Sequence, residues 1–578
     1  MKTKLVNENF TANYLDHLLV ARGLDYKNLD YFYEVPDDSA LSNPRLLDNI
    51  NEGYVLLLEH IHMGSKIALI VDSDVDGFTS SAIIYQYIKK IRPDIEIDYY
   101  LHGGKGHGLS DLIEDILHSE KEYHLIILPD AGSNDDTYHS LLKEQGIECL
   151  VLDHHIVEAD TQMIDNTVII NNQSSSDYPN KDLSGAGVTW QFCRYIDEKA
   201  GFNYANDFID LAALGIVSDM MSVLNLENRY IIHTGFLNVK NYFFQCLCDK
   251  QSFSMGNKIT PMTVAFYITP LINAMIRVGS MEEKERLFLA FIDGHEMVPC
   301  NKRGAKGTLE KVAIESAREC TNARAKQNRT LDKAIDELEI KIHKYDLLEN
   351  KILFVKLEEE DFPPELNGLI AMKLAAKYQR PAIVARLNDE GEVKGSLRGL
   401  NESELTSFKN FLEESNYFEF TAGHDNAAGC GILDKNIDPF LTYANNELAN
   451  VDFGENFYEV NFERMASSTD LTNLIFELMR KEDIYGQHNN EPLIHITNLN
   501  VTPEEIRLMG KNQDTIKIEK NGVAYMFFKC KNRLEEFKQY NEMTFDIVGK
   551  PNINNWMGNV TPQIFVTDFE ISDGSLGF

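Results

Sequence analysis

At 578 residues the chain exceeds what one hydrophobic core organises, so two to four domains are expected. Its 43% hydrophobic and 25% charged residues are those of an ordinary soluble globular protein. A formal net charge of −35 excludes loose, non-specific attraction to a polyanion; contact with nucleic acid has to come from local basic residues and bound cations.

No apolar run has the length of a membrane span, and the N-terminal MKTKLVNENF lacks a signal-peptide core, so no membrane association is expected. Cysteines 149, 193, 246, 248, 300, 320, 430 and 530 are scattered without a C-x-x-C, which suggests neither a zinc site nor a disulfide framework and fits a reducing cytoplasm.

Residues 1–60 read as a helical extension without legible chemistry. The next stretch, KIALIVDSDVDGFTSS (66–81), is the one around which the chain is organised. Ile67–Val71 has the apolar, β-branched character of a buried strand; Asp72, Asp74 and Asp76 stand at alternate positions after it, and Phe78–Ile91 has helical spacing. Three carboxylates crowded at a strand end repel one another unless a cation sits among them, and hard divalent ions take such ligands. D-x-D-x-D-G also opens an EF-hand loop, but the twelfth position here is Ile83 rather than Glu, and a strand stands where that motif needs a helix.

Strand and helix patterns alternate through 61–235, which argues for an α/β domain with a mostly parallel sheet. Further strands are expected at 95–100, 125–128, 149–152 and 168–170. Two of them run into Pro129-Asp130 and into Asp153-His154-His155. Sites in open parallel sheets form outside the carboxyl ends of strands, so several such ends bearing ligand-type residues point to one site. Asp219 ends an apolar helix pattern (LAALGIVSDMM, 211–221) and is a fourth contributor. Residues 236–306 read as further helices. Thr308 to about Lys344 lacks Gly and Pro and predicts one helix of about 55 Å.

A second α/β unit is expected over 346–450, with strands at 352–357, 382–387 and 393–397 and a helix at 366–378. TAGHDNAAGCGIL (421–433) offers small residues whose backbone N–H groups can approach an anion. The acidic segment 446–463 reads as a linker. Short strands from 492 to 571 predict a small β-barrel whose Tyr525, Phe527, Phe528 and Trp556 either stack on bases or fill the core. The domains expected are thus 1–60, 61–306 (catalytic, with a helical insertion), 307–345 (connecting helix), 346–450, and 451–578 (linker and barrel).

Asp72, Asp74, Asp76, Asp130, Asp153, His154, His155 and Asp219 together suit two cations that promote displacement at phosphorus, Mn2+ or Mg2+ rather than Zn2+ given so many carboxylates. Neighbouring strand residues point oppositely, so His154 and His155 do different jobs unless the strand has ended before them.

DSDVDG (72–77), PDAGSND (129–135), LDHH (152–155) and GIVSDM (215–220) resemble the four motifs of the DHH phosphoesterase superfamily, and TAGHDNAAG (421–429) resembles the phosphate-side motif of its companion DHHA1 domain. Within that superfamily the chain is most similar to the RecJ family of single-strand-specific 5′→3′ DNA exonucleases. The resemblance implies two α/β domains (DHH and DHHA1-like) joined by a long helix and followed by an OB-like β-barrel, two Mn2+ or Mg2+ ions, and single-stranded DNA as substrate. It makes Asp74, Asp76, Asp130, His154 and Asp219 metal ligands, with Asp130 bridging and Asp72 either a further ligand or a group behind the ligands. His155 then contacts the scissile phosphate and Asp153 orients a histidine. Arg277, Ser396, Arg398, His424 and Asn426 hold the DNA; the plain alternative for Arg277 and Arg398 is a surface ion pair, and for His424 a turn. The chain departs from the family pattern at Ala422-Gly423, at Ser396-Leu397-Arg398 and after Asp219, where Met-Met-Ser follows. Two other functions stay open: a phosphodiesterase for short oligonucleotides or cyclic dinucleotides, and a non-catalytic nucleic-acid adaptor in replication.

Overall fold

The computed structural model describes residues 1–573 apart from 7–12, 105, 306, 359–361, 389–390, 401–402, 454–456, 511–512, 531–532, 538–541 and 557, and apart from the side chains of 535, 536, 556 and 573. The chain forms two compact units: residues 24–327 with 482–490, and residues 1–23 with 328–481 and 491–578.

The first unit is built on a five-stranded sheet in the order Ile97–Leu101, Ile67–Val71, Leu125–Pro129, Glu148–Asp153, Thr167–Asn171, every pair parallel. Ile67–Val71 and Leu125–Pro129 are buried along their whole length, as strands covered on both faces must be. The helix Val75–Ile91 starts earlier than its apolar spacing indicates, because Asp74 caps it by accepting from Gly77 N at 3.0 Å. Phe78 on that helix meets Phe288 edge-to-face at 5.9 Å, within a core that also takes in Gly185–Ala200 and Ile209–Ser218.

Pro261–Val278 reaches a mean hydropathy of 1.2 over 18 residues, enough by length and composition to cross a membrane, contrary to the sequence expectation. Half of it is buried, and Val264, Ile268, Leu271, Ile272 and Met275 belong to the core, so its apolarity is accounted for by packing. A π-helical turn, Val264–Ile268, precedes its final segment Thr269–Val278.

Residues 482–490 are held to this unit by Asp483. Its carboxylate takes a 2.6 Å hydrogen bond from Arg229 Nη2, and Arg229 is 2% exposed. Burial pushes the Asp483 carboxyl up, but hydrogen bonds and charge from His233 and Arg229 outweigh it and hold the group well below the usual carboxylate range. Asp483→Asn is therefore expected to destabilise this unit by about 2–3 kcal/mol in urea unfolding; partial exposure and the remaining bonds from Arg229 Nε to Phe32 O and from Nη1 to the residue-483 backbone carbonyl keep the cost below that of stranding a fully buried charge. Because the folded pKa is depressed, the deficit is present above about pH 4 and shrinks as pH falls below it.

The helix Val312–Lys344 is continuous over 33 residues, and the division between units falls within it. It begins after Leu309–Lys311, a strand paired with Met297–Pro299, where the sequence predicts helix.

In the second unit, a five-stranded sheet runs Phe418–His424, Ala427–Leu433, Glu392–Arg398, Ala382–Leu387, Leu353–Leu357, with only the last pair parallel. The 421–433 stretch, whose small residues were expected to let backbone N–H groups approach an anion, is mostly the ladder of a hairpin. Its small residues serve close packing: a Cβ on Gly431 would lie 2.3 Å from the Phe420 ring.

A seven-stranded sheet follows, ordered Phe462–Met465, Ile494–Val501, Met543–Trp556, Asn559–Asp573, Val523–Phe527, Thr515–Lys520, Ile506–Met509. Tyr525 and Phe527 are core residues, Phe528 is half exposed, and the Trp556 side chain lies outside the described residues.

Two expectations fail here. Lys2–Leu5 is a strand rather than part of a helical extension, and it pairs in parallel with Phe457–Val460. That partner lies within the segment expected as a linker, as does the start of Phe462–Met465.

Candidate metal centre

The carboxyl ends of the first unit's strands bring the acidic and imidazole residues together. Asp72 follows the 67–71 strand, Asp130 the 125–129 strand, and Asp153 ends the 148–153 strand, so His154 and His155 lie beyond it. Freed from strand geometry, both rings turn the same way, with centroids 4.4 Å apart. Ligand atoms of Asp76, His154 and Asp219 lie within 4.8 Å of one another, as do those of Asp72, Asp74 and Asp130, and those of Asp130, His154 and His155. Asp130 and His154 each belong to two of these groups. Asp219 caps the 209–218 helix at its C-terminal end.

Backbone geometry serves the cluster. Asp130 has φ of 66°, a left-handed conformation that non-glycine residues adopt at a cost and that marks functional positions. Asp76 accepts hydrogen bonds from Ser184 Oγ (2.9 Å), Gly185 N (2.6 Å) and Ala186 N (3.2 Å) at the N-terminus of the 185–200 helix, where the helix dipole favours an anion. Glycines permit the approach: a Cβ on Gly185 would lie 2.4 Å from Asp130 Oδ1, one on Gly215 2.2 Å from Asp76 Oδ1, and one on Gly77 2.6 Å from Asp72 Cβ.

The charges do not balance among the carboxylates themselves. Burial and mutual repulsion raise Asp74 to about 6 and push Asp130 and Asp219 well above the ordinary range. Asp76 is raised by burial, against the hydrogen bonds it accepts. Among the described residues Asp130 Oδ1, fully buried, has no hydrogen-bond partner, although His154 Nε2 lies 3.2 Å away. Burial, then the charge of His155, lowers His154 to about 4, which leaves it a neutral imidazole with a lone pair to offer. An orphaned buried carboxylate oxygen amid acids that suppress one another's ionisation is the donor set for divalent cations, and the residues present fit such ions.

Asp153 differs from its neighbours. It accepts from Ser133 N (3.0 Å), His154 N (2.7 Å) and His155 Nδ1 (2.8 Å). Burial raises it, but these bonds and the charges of His155 and His154 hold it far below the ordinary range. It is thus an anchor for the His155 ring.

Sequence reasoning did not single out Ser184–Ala186, His102 or His107. Asp72 Oδ1 accepts from Gly108 N at 3.1 Å and lies 3.0 Å from His107 Nδ1 and 3.8 Å from His102 Nε2. Burial lowers the His107 pKa, but Asp72 overrides it and raises the ring to about 9. The signals were present: His102 follows the 97–101 strand at the same sheet edge, and Ser-Gly-Ala-Gly before an apolar run is a helix N-cap pattern.

Arg277 lies in the last turn of the 269–278 helix, in the same unit as the acidic cluster. Burial lowers its pKa while the charge of Asp74 raises it, and among the described residues it forms no ion pair. The other four candidates lie in the second unit. Ser396 and Arg398 share one face of the 392–398 strand, and both point at the start of the helix Asn367–Tyr378: a Cβ on Gly368 would lie 2.7 Å from Arg398 Nη2 and 3.6 Å from Ser396 Oγ. Asn426 closes the turn by bonding Thr406 O and Phe408 N, and His424 is exposed at the end of its strand.

Comparison with known proteins places this geometry. The family model "DHH family, N-terminal domain" matches residues 66–216, and "RecJ OB domain" matches 465–568. A putative SPbeta prophage-derived single-strand DNA-specific exonuclease, YorK of Bacillus subtilis, is 36% identical over 99% of this chain and 98% of its own length. The chain belongs to the RecJ-like DHH family. The single-stranded-DNA-specific exonuclease RecJ of Bacillus subtilis is 26% identical over 97% of this chain and 68% of its own. The fold is that of RecJ from Thermus thermophilus, crystallised with Mn2+, at a TM-score of 0.71 and 18% identity, covering 98% of this chain and 79% of that one. The two α/β sheets and the terminal OB domain expected from sequence are those of this RecJ-like family.

Proposed function

We propose that this protein is a metal-dependent exonuclease that hydrolyses single-stranded DNA in the cytoplasm from the 5′ end and releases 5′ mononucleotides. The observation that carries the reading is the convergence of Asp72, Asp74, Asp76, Asp130, His154 and Asp219 at one sheet edge, with Asp130 and His154 each shared between two groups. The family membership and the OB domain favour a long single strand over a dinucleotide.

Asp74, Asp76, Asp130, His154 and Asp219 would hold two Mn2+ or Mg2+ ions, with Asp72 as a further candidate ligand. Divalent ions there supply positive charge for the phosphate oxygens and lower the pKa of water. The chain's own residues do the rest. Asp153 holds His155 by Nδ1, leaving Nε2 to the scissile phosphate, where a donor stabilises developing charge. Arg277, which forms no ion pair among the described residues, offers its guanidinium to the strand's phosphates. In the second unit Ser396, Arg398, His424 and Asn426 hold a phosphate or the adjacent nucleotide, helped by backbone N–H groups at the start of the 367–378 helix.

The test is degradation of single strands labelled at the 5′ or the 3′ end, with duplex DNA, dinucleotides and cyclic dinucleotides alongside, in Mn2+ and in EDTA. Immediate release of the 5′ label as a mononucleotide, abolished by EDTA and by Asp130→Ala, is expected. Cleavage of dinucleotides alone would make it a short-substrate phosphodiesterase, and binding without cleavage would make it an adaptor.

A further inference from the structure

We propose that His107 is a second substrate-contacting imidazole, gripping through Nε2 the same phosphoryl group that His155 contacts; the inference rests on the phosphodiesterase reading of the acidic cluster. The histidines around the cluster fall into two kinds. The His154 side chain is 9% exposed and that of His102 is fully buried, whereas His107 and His155 are 53% and 44% exposed. These two are mounted alike. His155 Nδ1 is hydrogen-bonded to Asp153 Oδ1 at 2.8 Å, and His107 Nδ1 lies 3.0 Å from Asp72 Oδ1 as an ion pair, so each ring has Nδ1 beside a buried carboxylate and Nε2 as its other polar atom. Their rings meet edge-to-face, centroids 4.8 Å apart at 72°.

Two half-exposed imidazoles with centroids 4.8 Å apart are near enough for one phosphoryl group to meet both. A phosphoryl group in transfer carries charge on three peripheral oxygens and can accept from both. The tether is also fixed: Asp72 is 5% exposed and its Oδ1 is held by Gly108 N, next in the chain to His107. The glycine-flanked turn 106–108 therefore sets the ring's position relative to Asp72 and not to solvent.

Two substitutions separate contact from support, because Asn reproduces the donor near Nδ1 and Gln the donor near Nε2. Turnover of bis(p-nitrophenyl) phosphate and of labelled single-stranded DNA is measured in Mn2+, with Mn2+ binding followed by calorimetry. If Nε2 holds the phosphoryl group, His107→Asn loses about 10- to 100-fold in kcat, the worth of one hydrogen bond to a charged group, while His107→Gln stays within about fivefold and both bind Mn2+ as the wild type does. The reverse order, Asn active and Gln inactive, or a loss that follows Mn2+ affinity, would show that His107 only props Asp72 and would overturn the proposal. Wild-type turnover of the small diester but not of DNA would remove the exonuclease reading and leave His107 decided by the diester alone. Turnover of neither would remove both.

Discussion

Asp130→Asn is expected to lower metal-dependent cleavage by at least about 10³-fold while making the metal-free protein more heat-resistant, so that adding Mn2+ inverts the order of the two melting temperatures. The side chain is buried and its carboxyl is held well above the ordinary range by desolvation and by Asp76, Asp74, Asp72 and Asp219. Asn has the same shape, tolerates φ of 66° and carries no charge, so it removes repulsion without opening a cavity. A relief of about 1 kcal/mol corresponds to about 1–2 °C in a unit of this size. A carboxyl whose folded pKa is raised stabilises least at high pH, so the advantage of Asn grows as pH rises above about 4. Wild type regains the lead once ions bind, since a ligand at a hundred times its dissociation constant contributes about 2.7 kcal/mol and the variant lacks one carboxylate oxygen of the proposed ligand set. Paired melts in EDTA and in Mn2+ measure both halves. A variant that melts below wild type in EDTA would mean that the carboxylates are not in conflict, and the case for cations there would fail.

How much of this was legible in the sequence depends on how far apart in the chain the interacting groups lie. Ile67–Val71 and Leu125–Pro129 announce themselves because a strand covered on both faces must be apolar throughout, and Asp72, Asp130 and Asp153 because the sites of parallel sheets gather at carboxyl ends. Lys2–Leu5 has no such signature: four alternating residues become a strand only because Phe457–Val460 lies beside them. The acidic surroundings of that partner made it read as linker, since charge on the exposed side of an edge strand looks like charge in a loop. The hairpin of Phe418–His424 and Ala427–Leu433 shows a second ambiguity. Glycines that permit close backbone packing, such as Gly395 with a virtual Cβ 2.1 Å from Val384 O, use the same letters as glycines that admit a ligand. His107 stayed hidden because its partner, Asp72, is on another strand end and only folding puts them 3.0 Å apart.

Gly185→Ala tests how tightly the helix N-terminus and the acidic cluster are fitted. The added methyl would lie 2.4 Å from Asp130 Oδ1, 2.6 Å from its Cβ and 2.7 Å from its Cα, so no rotation of the Asp130 side chain relieves the contact and backbone has to move. The backbone in question is the left-handed residue of the cluster on one side and, on the other, the turn whose N–H groups hold Asp76. A shift of about 1 Å at a reacting centre costs about 10²-fold, and here two proposed ligands move together, so cleavage is expected to fall at least that far and Mn2+ affinity with it. Gly187→Ala, two residues on in the same helix, is the matched control: its methyl meets the Leu183 side chain at 2.4 Å and no acidic residue of the cluster. It is expected to lower the melting temperature, by overpacking worth about 1–3 kcal/mol, while Mn2+ affinity holds. Calorimetric titration of Mn2+ into both variants, with melts in EDTA, separates loss of packing from loss of the site. Equal Mn2+ affinities in the two would mean that the approach of the 185–200 helix to Asp130 and Asp76 has no part in holding the ions.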